Sequence, residues 1–246
     1  MQDILKFIFV KMIFRPEKLK IPTDTKVWRY LDFERFITFL ETSSLHFCRL
    51  NKLGDQYDGR FPEQMVKQYD SMETAEGIII DGFTELSQRL RVNCWHMSDE
   101  ESVAMWKIYC SNNLGLAIQT TFGELIKAFY IGPERLDLVK VIYKPLDESF
   151  FSKATPLVVA SHKLPSYSFE NELRIIFIEG ERLGNPIPTE NGCLLRVKLE
   201  HLLKNVYLSP NVPDGFFSVI EMLRDKFQLR FNIMNSIIKD YTVHSG

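Results

Sequence analysis

The segment Glu170-Asn171-Glu172-Leu173-Arg174-Ile175-Ile176-Phe177-Ile178 constrains the fold most, because it runs three charged residues, spaced by two, into the most strand-like stretch of the chain. Branched and aromatic side chains favour a pleated, packed surface. With a strand starting near Glu170, alternation puts Glu170, Glu172 and Arg174 on one face and Leu173, Ile175 and Phe177 on the other. Two readings of the charged face follow. It is a solvated ladder of charges, or it lies at the rim of a covered sheet, in a cleft where partial burial perturbs the carboxylates as active sites require.

The rest of the chain mixes strands and helices. Val27 to Leu31 reads as a short strand, and Asp32 is placed to cap a helix carrying Phe33, Phe36, Ile37 and Leu40. Leu45 to Arg49 alternates like a half-buried strand and leads into the turn-rich loop Asn51 to Gly59, with a helical insertion up to about Leu90. Arg91 to Met97 reads as a buried strand. Ser98-Asp99-Glu100-Glu101 has the form of a capping box for a helix with Val103, Trp106 and Tyr109 on one side. Further strands are expected at Gly115–Gln119, around Leu138 to Tyr143, at Glu172–Ile178, Cys193–Leu199 and Val206–Leu208. Helices are expected from Phe122 to about Tyr130 and from Asp214 to Lys226, with an edge strand near Phe231 to Ile238. No βαβ rhythm, glycine-rich fingerprint or internal repeat is present. The fold class is therefore α+β, a mixed domain with a mainly antiparallel central sheet and flanking helices.

A chain of 246 residues, 45% of them hydrophobic, buries a real core and suits one compact domain. The expected organisation is an N-terminal helix and linker over 1–25 and a single domain over 26–246. The apolar residues Ile4, Phe7, Ile8, Met12 and Ile13 recur at helical spacing; Lys6 and Lys11 interrupt the stretch, which fits a packed or membrane-surface helix better than a signal peptide. With 30 Lys and Arg against 32 Asp and Glu, the net charge of −2 argues against a hold on DNA through phosphate neutralisation, although it allows a local basic patch. No segment approaches the length of a transmembrane helix. Cys48, Cys94, Cys110 and Cys193 form no C-x-x-C pair, which suits reduced thiols, and a cytoplasmic protein is expected.

Most single motifs exclude chemistry rather than suggest it. There is no H-x-x-x-H pair, P-loop or G-x-S-x-G elbow, and although Cys94 and His96 share a strand face, no metal site is expected. Trp28-Arg29-Tyr30 is more informative. An arginine between aromatics either binds an anion such as a phosphate or pairs structurally with Asp55 or another carboxylate. Trp95, Trp106 and Tyr109 add aromatic surface to the middle of the chain, by core packing or by ligand stacking.

Taken in order, these motifs resemble a bacterial family. Trp28-Arg29-Tyr30, Leu45-x-Phe47, Gly54-Asp55-x-x-Asp58-Gly59, Cys94-Trp95-x-x-Ser98, Ser102-x-x-Met105-Trp106-x-x-Tyr109, Gly115 and Glu170-x-Glu172-x-Arg174 together resemble the family catalogued as domain of unknown function 2971, from about Val27 to Ile237. This chain departs from that family's pattern in lacking a proline after Asp55, which leaves the loop less rigid. A more distant likeness is to the ADP-ribosyltransferase fold, in which an early strand supplies Arg or His, a middle element Ser or Tyr, and a late strand a glutamate motif. Arg29, the Ser98–Tyr109 segment and Glu170-x-Glu172 occur in that order.

That likeness implies NAD as substrate. Cleaving nicotinamide from ribose builds oxocarbenium character on the sugar, which a carboxylate stabilises. Glu172 takes that role and Glu170 orients or deprotonates the acceptor. Arg29 holds the pyrophosphate, Trp95 or Tyr109 stacks on nicotinamide, and Ser98 positions a ribose hydroxyl, with Tyr30 and Arg174 completing the binding set. A toxin or phage-defence effector is implied, with the acceptor open. The alternatives are a nucleotide-sensing or interaction module that binds without turnover, and a nucleic-acid enzyme, for which neither a metal cluster nor an evident basic stripe is present.

Overall fold

The computed structural model describes residues 19–54, 58, 87–110, 114–130, 136–145, 156–179 and 186–238. The expected helix over Met1 to Phe14, Asp55, Gly59 and nearly all of the expected insertion lie outside them.

In chain order, β1 (Lys26–Asp32) runs into α1 (Phe33–Thr42) and β2 (Ser44–Arg49). β3 (Leu90–Met97), α2 (Val103–Tyr109), β4 (Gly115–Thr121) and α3 (Phe122–Lys127) follow. Then come β5 (Asp137–Lys140), β6 (Ile142–Tyr143), α4 (Pro156–Ala160), β7 (His162–Lys163), a 3-10 turn (Pro165–Glu170) and β8 (Glu172–Ile178). The last elements are β9 (Ile187–Thr189), β10 (Gly192–Arg196), α5 (Leu199–Leu202), β11 (Asn205–Leu208), α6 (Phe216–Lys226) and β12 (Asn232–Asn235). The class is α+β and the strand pairs are mainly antiparallel, as the sequence implies. Among the described residues no helix is long and apolar enough to cross a membrane.

The chain forms two compact units. The first draws its described residues from Leu19, His46–Cys94 and Ile131–Leu194, the second from Lys20–Leu45, Trp95–Tyr130 and Leu195 onward. In the first unit β2 meets β3 antiparallel with Cys48 opposite Val92, and β5 lies antiparallel on β8 with Val139 opposite Arg174. β6 and β7 form a small parallel pair, Tyr143 opposite Lys163. Its core gathers Leu50, Leu90, Val92, Val159, Ala160, Ile176 and Ile178. All seven residues of β8 are buried, so both of its faces are covered. Gly192 admits a close crossing: a Cβ there would stand 1.9 Å from the Phe47 carbonyl oxygen.

In the second unit β1 pairs antiparallel with β4 along its whole length, β11 joins β4 antiparallel, and β12 joins β11 parallel. Trp28, Tyr30, Met105, Trp106, Cys110 and Ala117 form its aromatic core. Tyr30 and Trp106 meet edge to face at 4.9 Å, a geometry that suits the ring quadrupoles. Asp32 caps α1 as expected, accepting from the Arg35 N–H at 2.9 Å.

Several local expectations are corrected. The capping residue of α2 is Ser102, which accepts from the Met105 N–H; the Ser98 hydroxyl accepts from the Glu100 N–H instead. Glu101 does not reach back along the backbone but accepts from the Trp106 indole at 2.9 Å and from the Ile237 N–H at 2.9 Å. Consequently α2 buries Met105 and Trp106 while Val103 is exposed. The strand expected across Leu138 to Tyr143 is two strands, because β5 pairs with β8 and β6 turns away to pair with β7.

Candidate functional site

The three charged residues of the glutamate motif come together in the first unit, although not as one strand face. Glu170 ends the 3-10 turn, Asn171 adopts a left-handed conformation at φ 37°, and Glu172 opens β8. Asparagine tolerates that conformation better than most residues. The reversal brings the Glu170 carboxyl beside the two charged side chains that alternation places on one face of β8, the Glu172 carboxylate and the Arg174 guanidinium.

Two further groups complete the cluster. Lys163 enters from β7 and Asp58 from the segment between β2 and β3. Lys163 Nζ donates to Glu170 Oε2 and lies 3.3 Å from Glu172 Oε1 and 3.5 Å from Asp58 Oδ2. The Arg174 guanidinium donates through Nε to Glu172 Oε2 at 2.8 Å, and through Nη1 to Asp58 Oδ1 at 2.7 Å and to the Ala160 carbonyl at 2.6 Å. Its Nη2 bridges Asp58 and Glu172. Tyr143 contributes its hydroxyl, which accepts from the Glu172 N–H at 2.8 Å.

The solvated-ladder reading is thereby overturned. Arg174 is 0% exposed, Glu172 3% and Glu170 4%. Charges are buried at this depth only when paired and hydrogen-bonded. Among the described residues two cations face three carboxyl groups, so these five groups are neutral together when one carboxyl keeps its proton.

The two glutamates are pushed in opposite directions. Burial, reinforced by the neighbouring Glu172 carboxylate, pushes Glu170 up to about 7. Burial alone would also raise Glu172, but Arg174 and Lys163 outweigh it and hold that carboxyl below the usual range. Burial would lower Lys163, but Glu172 and Asp58 prevail and keep its ammonium above the ordinary value. Two adjacent carboxyls with protonation states set apart are what acid–base chemistry near neutrality requires.

The remaining sequence candidates belong to the second unit. Arg29 is half-buried on β1, opposite Ile118 of β4. Tyr30 is buried; its hydroxyl accepts from the Ser102 N–H at 2.9 Å, and burial raises the phenol above its ordinary value. Trp95 is 1% exposed, whereas Tyr109 is half-buried at the edge of the aromatic core. Ser98 is half-buried, and its carbonyl accepts from the Trp28 indole at 2.7 Å.

The second unit also carries an open groove of about 620 Å³, lined by Lys204, Arg224 and Arg230 with Asn205, Asn232 and Phe231 among the rest. Asn232 donates to Asn205, and Asn205 to Gln119, each at 2.8 Å, so an amide ladder crosses three strands beside these cations. Elsewhere, burial pushes the thiols of Cys110 and Cys193 up to about 12 and about 11, which removes them as nucleophiles. Among the described residues no group of three His, Cys, Asp or Glu side chains is arranged to hold a metal ion.

Sequence reasoning missed Lys163 and Tyr143. Both stand on two-residue strands too short to show alternation, and only the long-range pairing of β6 with β7 brings them to Glu172. Asp58 was quoted within a motif, but its partner Arg174 is 116 residues away.

No family model matches the chain, and no curated protein matches it. The resemblance to domain of unknown function 2971 therefore rests on the order of motifs alone. Among solved structures the chain is similar to Thermus sp. 2.9 DarT in complex with NAD+, at 8% identity over 91% of this chain and 100% of that one, with a TM-score of 0.43. At that level fold and activity have to be read from this chain's own residues.

Proposed function

We propose that the chain is an NAD-consuming, ADP-ribosyltransferase-like enzyme that breaks the nicotinamide–ribose bond. The observation that carries this reading is the Glu170–Glu172 pair, one carboxyl held anionic and its neighbour poised near neutrality. Nicotinamide carries its positive charge before cleavage and leaves neutral, so its departure needs no proton. Positive charge moves instead onto the ribose, where the Glu172 carboxylate stabilises it. A base is needed only for the acceptor, and ionised Glu170 takes that proton.

The binding roles follow from the order of motifs. Arg29 holds the pyrophosphate and Ser98 a ribose hydroxyl. Tyr109 is only half-buried and is a better partner for nicotinamide than the enclosed Trp95. Tyr30 supports this set from the core. Arg174, whose donors are engaged by Glu172, Asp58 and Ala160, orients Glu172 rather than contacting substrate.

The test is to incubate wild type, Glu170→Gln and Glu172→Gln with NAD and to follow free nicotinamide by chromatography. Glu172→Gln is expected to cut release by about 10²-fold or more. Glu170→Gln, which copies the shape of the protonated acid, is expected to slow transfer by about 10²-fold or more with the fold retained. Wild-type rates from a folded Glu170→Gln protein would remove the base assignment.

One observation favours a second reading, a nucleotide-sensing module without turnover. The groove of Lys204, Arg224 and Arg230, with its amide ladder, is cationic and open to solvent, whereas the glutamate cluster is closed from solvent. NAD that binds in calorimetry, stays intact on long incubation and binds several-fold more weakly to Arg230→Ala would establish that reading.

A further inference from the structure

The first unit also gathers arginines that the glutamate cluster does not use. Arg49 ends β2 and stands opposite Arg91 of β3 in the antiparallel register, so the two side chains share a face of the sheet. Arg89, two residues before Arg91, donates through Nε and Nη2 to the Glu179 carbonyl at 3.3 and 3.1 Å. Guanidinium groups do not shed their charge, and like charges directly opposite one another on a ladder destabilise it. Among the described residues one carboxylate answers them: Glu179, just beyond β8, bonds to Arg91 Nη2. Three cations therefore meet one anion.

The hydrogen bonds show the same shortfall. Arg91 is 4% exposed. Its Nη1 donates to the carbonyls of Gln88 at 2.7 Å and Leu90 at 3.3 Å and its Nη2 to Glu179, but its Nε is buried without a hydrogen-bond partner among the described residues. The Cys193 thiol, on which Arg91 also acts, is a weak acceptor. Arg49 is supplied less well still. Its Nη2 lies 3.5 Å from the Glu190 carbonyl, beyond an ordinary hydrogen bond, and its Nε is likewise buried and unpartnered among the described residues. Buried donors are almost always paired with protein, water or an ion, so orphan N–H groups on two facing cations call for an acceptor that carries negative charge.

We propose that Arg49 and Arg91 form an oxyanion site that takes a phosphate group, either free phosphate or the terminal group of a monoester. A phosphate dianion matches the excess of positive charge, and its tetrahedral oxygens accept from two guanidinium groups at once. The approach runs past Arg49, which is half-buried, and the Glu179 side chain, which is 45% exposed. The Arg49 N–H donates to the Asn191 carbonyl at 2.8 Å, so the turn between β9 and β10 fixes the backbone from which Arg49 projects. The site is separate from the glutamate pair and does not rest on the NAD reading. Glu179 stands seven residues beyond Glu172 along one extended run, about 23 Å at the rise of a strand.

The experiment is calorimetry of the full chain with inorganic phosphate and with phenyl phosphate at constant ionic strength, alongside NMR of the arginine Nε–H groups. Wild type is expected to bind one phosphate group and to shift the Nε–H signal that is missing from Arg49→Met. Arg49→Met is expected to weaken binding by about 10- to 100-fold. Without phosphate it is expected to unfold no more easily than wild type, because it removes an unbalanced charge. Arg49→Lys, which keeps the charge and loses the planar fork, is expected to bind with intermediate strength. Tighter binding of phenyl phosphate than of inorganic phosphate would assign the site to a monoester, and the reverse order to the free ion.

The absence of heat and of any Nε–H shift with both compounds at millimolar concentration would overturn the proposal. Binding of undiminished strength in Arg49→Met would do the same. Binding kept in Arg49→Met but lost in Arg230→Ala would place the anion in the groove of the second unit, and that result also overturns it. If Arg49→Met does not fold, Arg49→Lys and the wild-type Nε–H shifts decide the matter.

Discussion

At the scale of single residues, Glu170 and Glu172 make opposite predictions for the same substitution. Burial raises Glu170 to about 7, so at pH 6 Glu170→Gln chiefly replaces an O–H by an N–H of similar shape and adds no uncompensated charge. Its cost in urea unfolding at pH 6 is expected to stay within about 1 kcal/mol. Glu172→Gln removes an anion that both Lys163 and Arg174 contact. Breaking a buried pair in this way costs about 3–5 kcal/mol, softened here because Glu170 then ionises more readily and restores part of the charge balance. Equal midpoints for the two variants would contradict the assignment of the proton. The spacing of Glu172 and Arg174 on one strand face was legible in sequence, whereas their complete burial and the arrival of Lys163 were not.

Elements supply the precision that single residues need. The turn at Asn171 and the short β6–β7 pair deliver Glu170, Tyr143 and Lys163 to the start of β8. Such devices have little sequence signature, because a 3-10 turn and two-residue strands show no periodicity. Capping shows the same limit. Ser98-x-x-Glu101 matches the box pattern, but the helix starts only at Val103 and Ser102 takes the role. Ser102→Ala is therefore expected to cost about 1 kcal/mol in chemical denaturation, and Ser98→Ala clearly less. Gly192→Ala, with its Cβ driven into the Phe47 carbonyl, is expected to cost about 1–3 kcal/mol by the same measurement.

For the whole molecule, the two kinds of shifted carboxyl predict the shape of the stability curve. Glu170 is raised from 4.5 to about 7, so between those values the folded state keeps a proton that the unfolded chain has lost, and stability falls as pH rises through this window. Glu172 and Glu124 are held low, Glu124 at about 2 by Lys127, His201 and Lys204. Their contribution is present above 4.5 and is lost as pH drops below it. Unfolding midpoints measured across pH are therefore expected to peak near 5, and Glu170→Gln to flatten the fall toward 7. A curve that rises steadily from 5 to 7 in wild type would contradict the buried acid. The sequence by itself determined the α+β class, the mainly antiparallel strands and the placing of Glu172 and Arg174 on one strand face, because alternation, turn residues and apolar runs act within a few neighbours. Only the tertiary structure decided that this pair is sealed from water and completed by Asp58 and Lys163, because ionisation depends on burial and on charges brought together from distant parts of the chain.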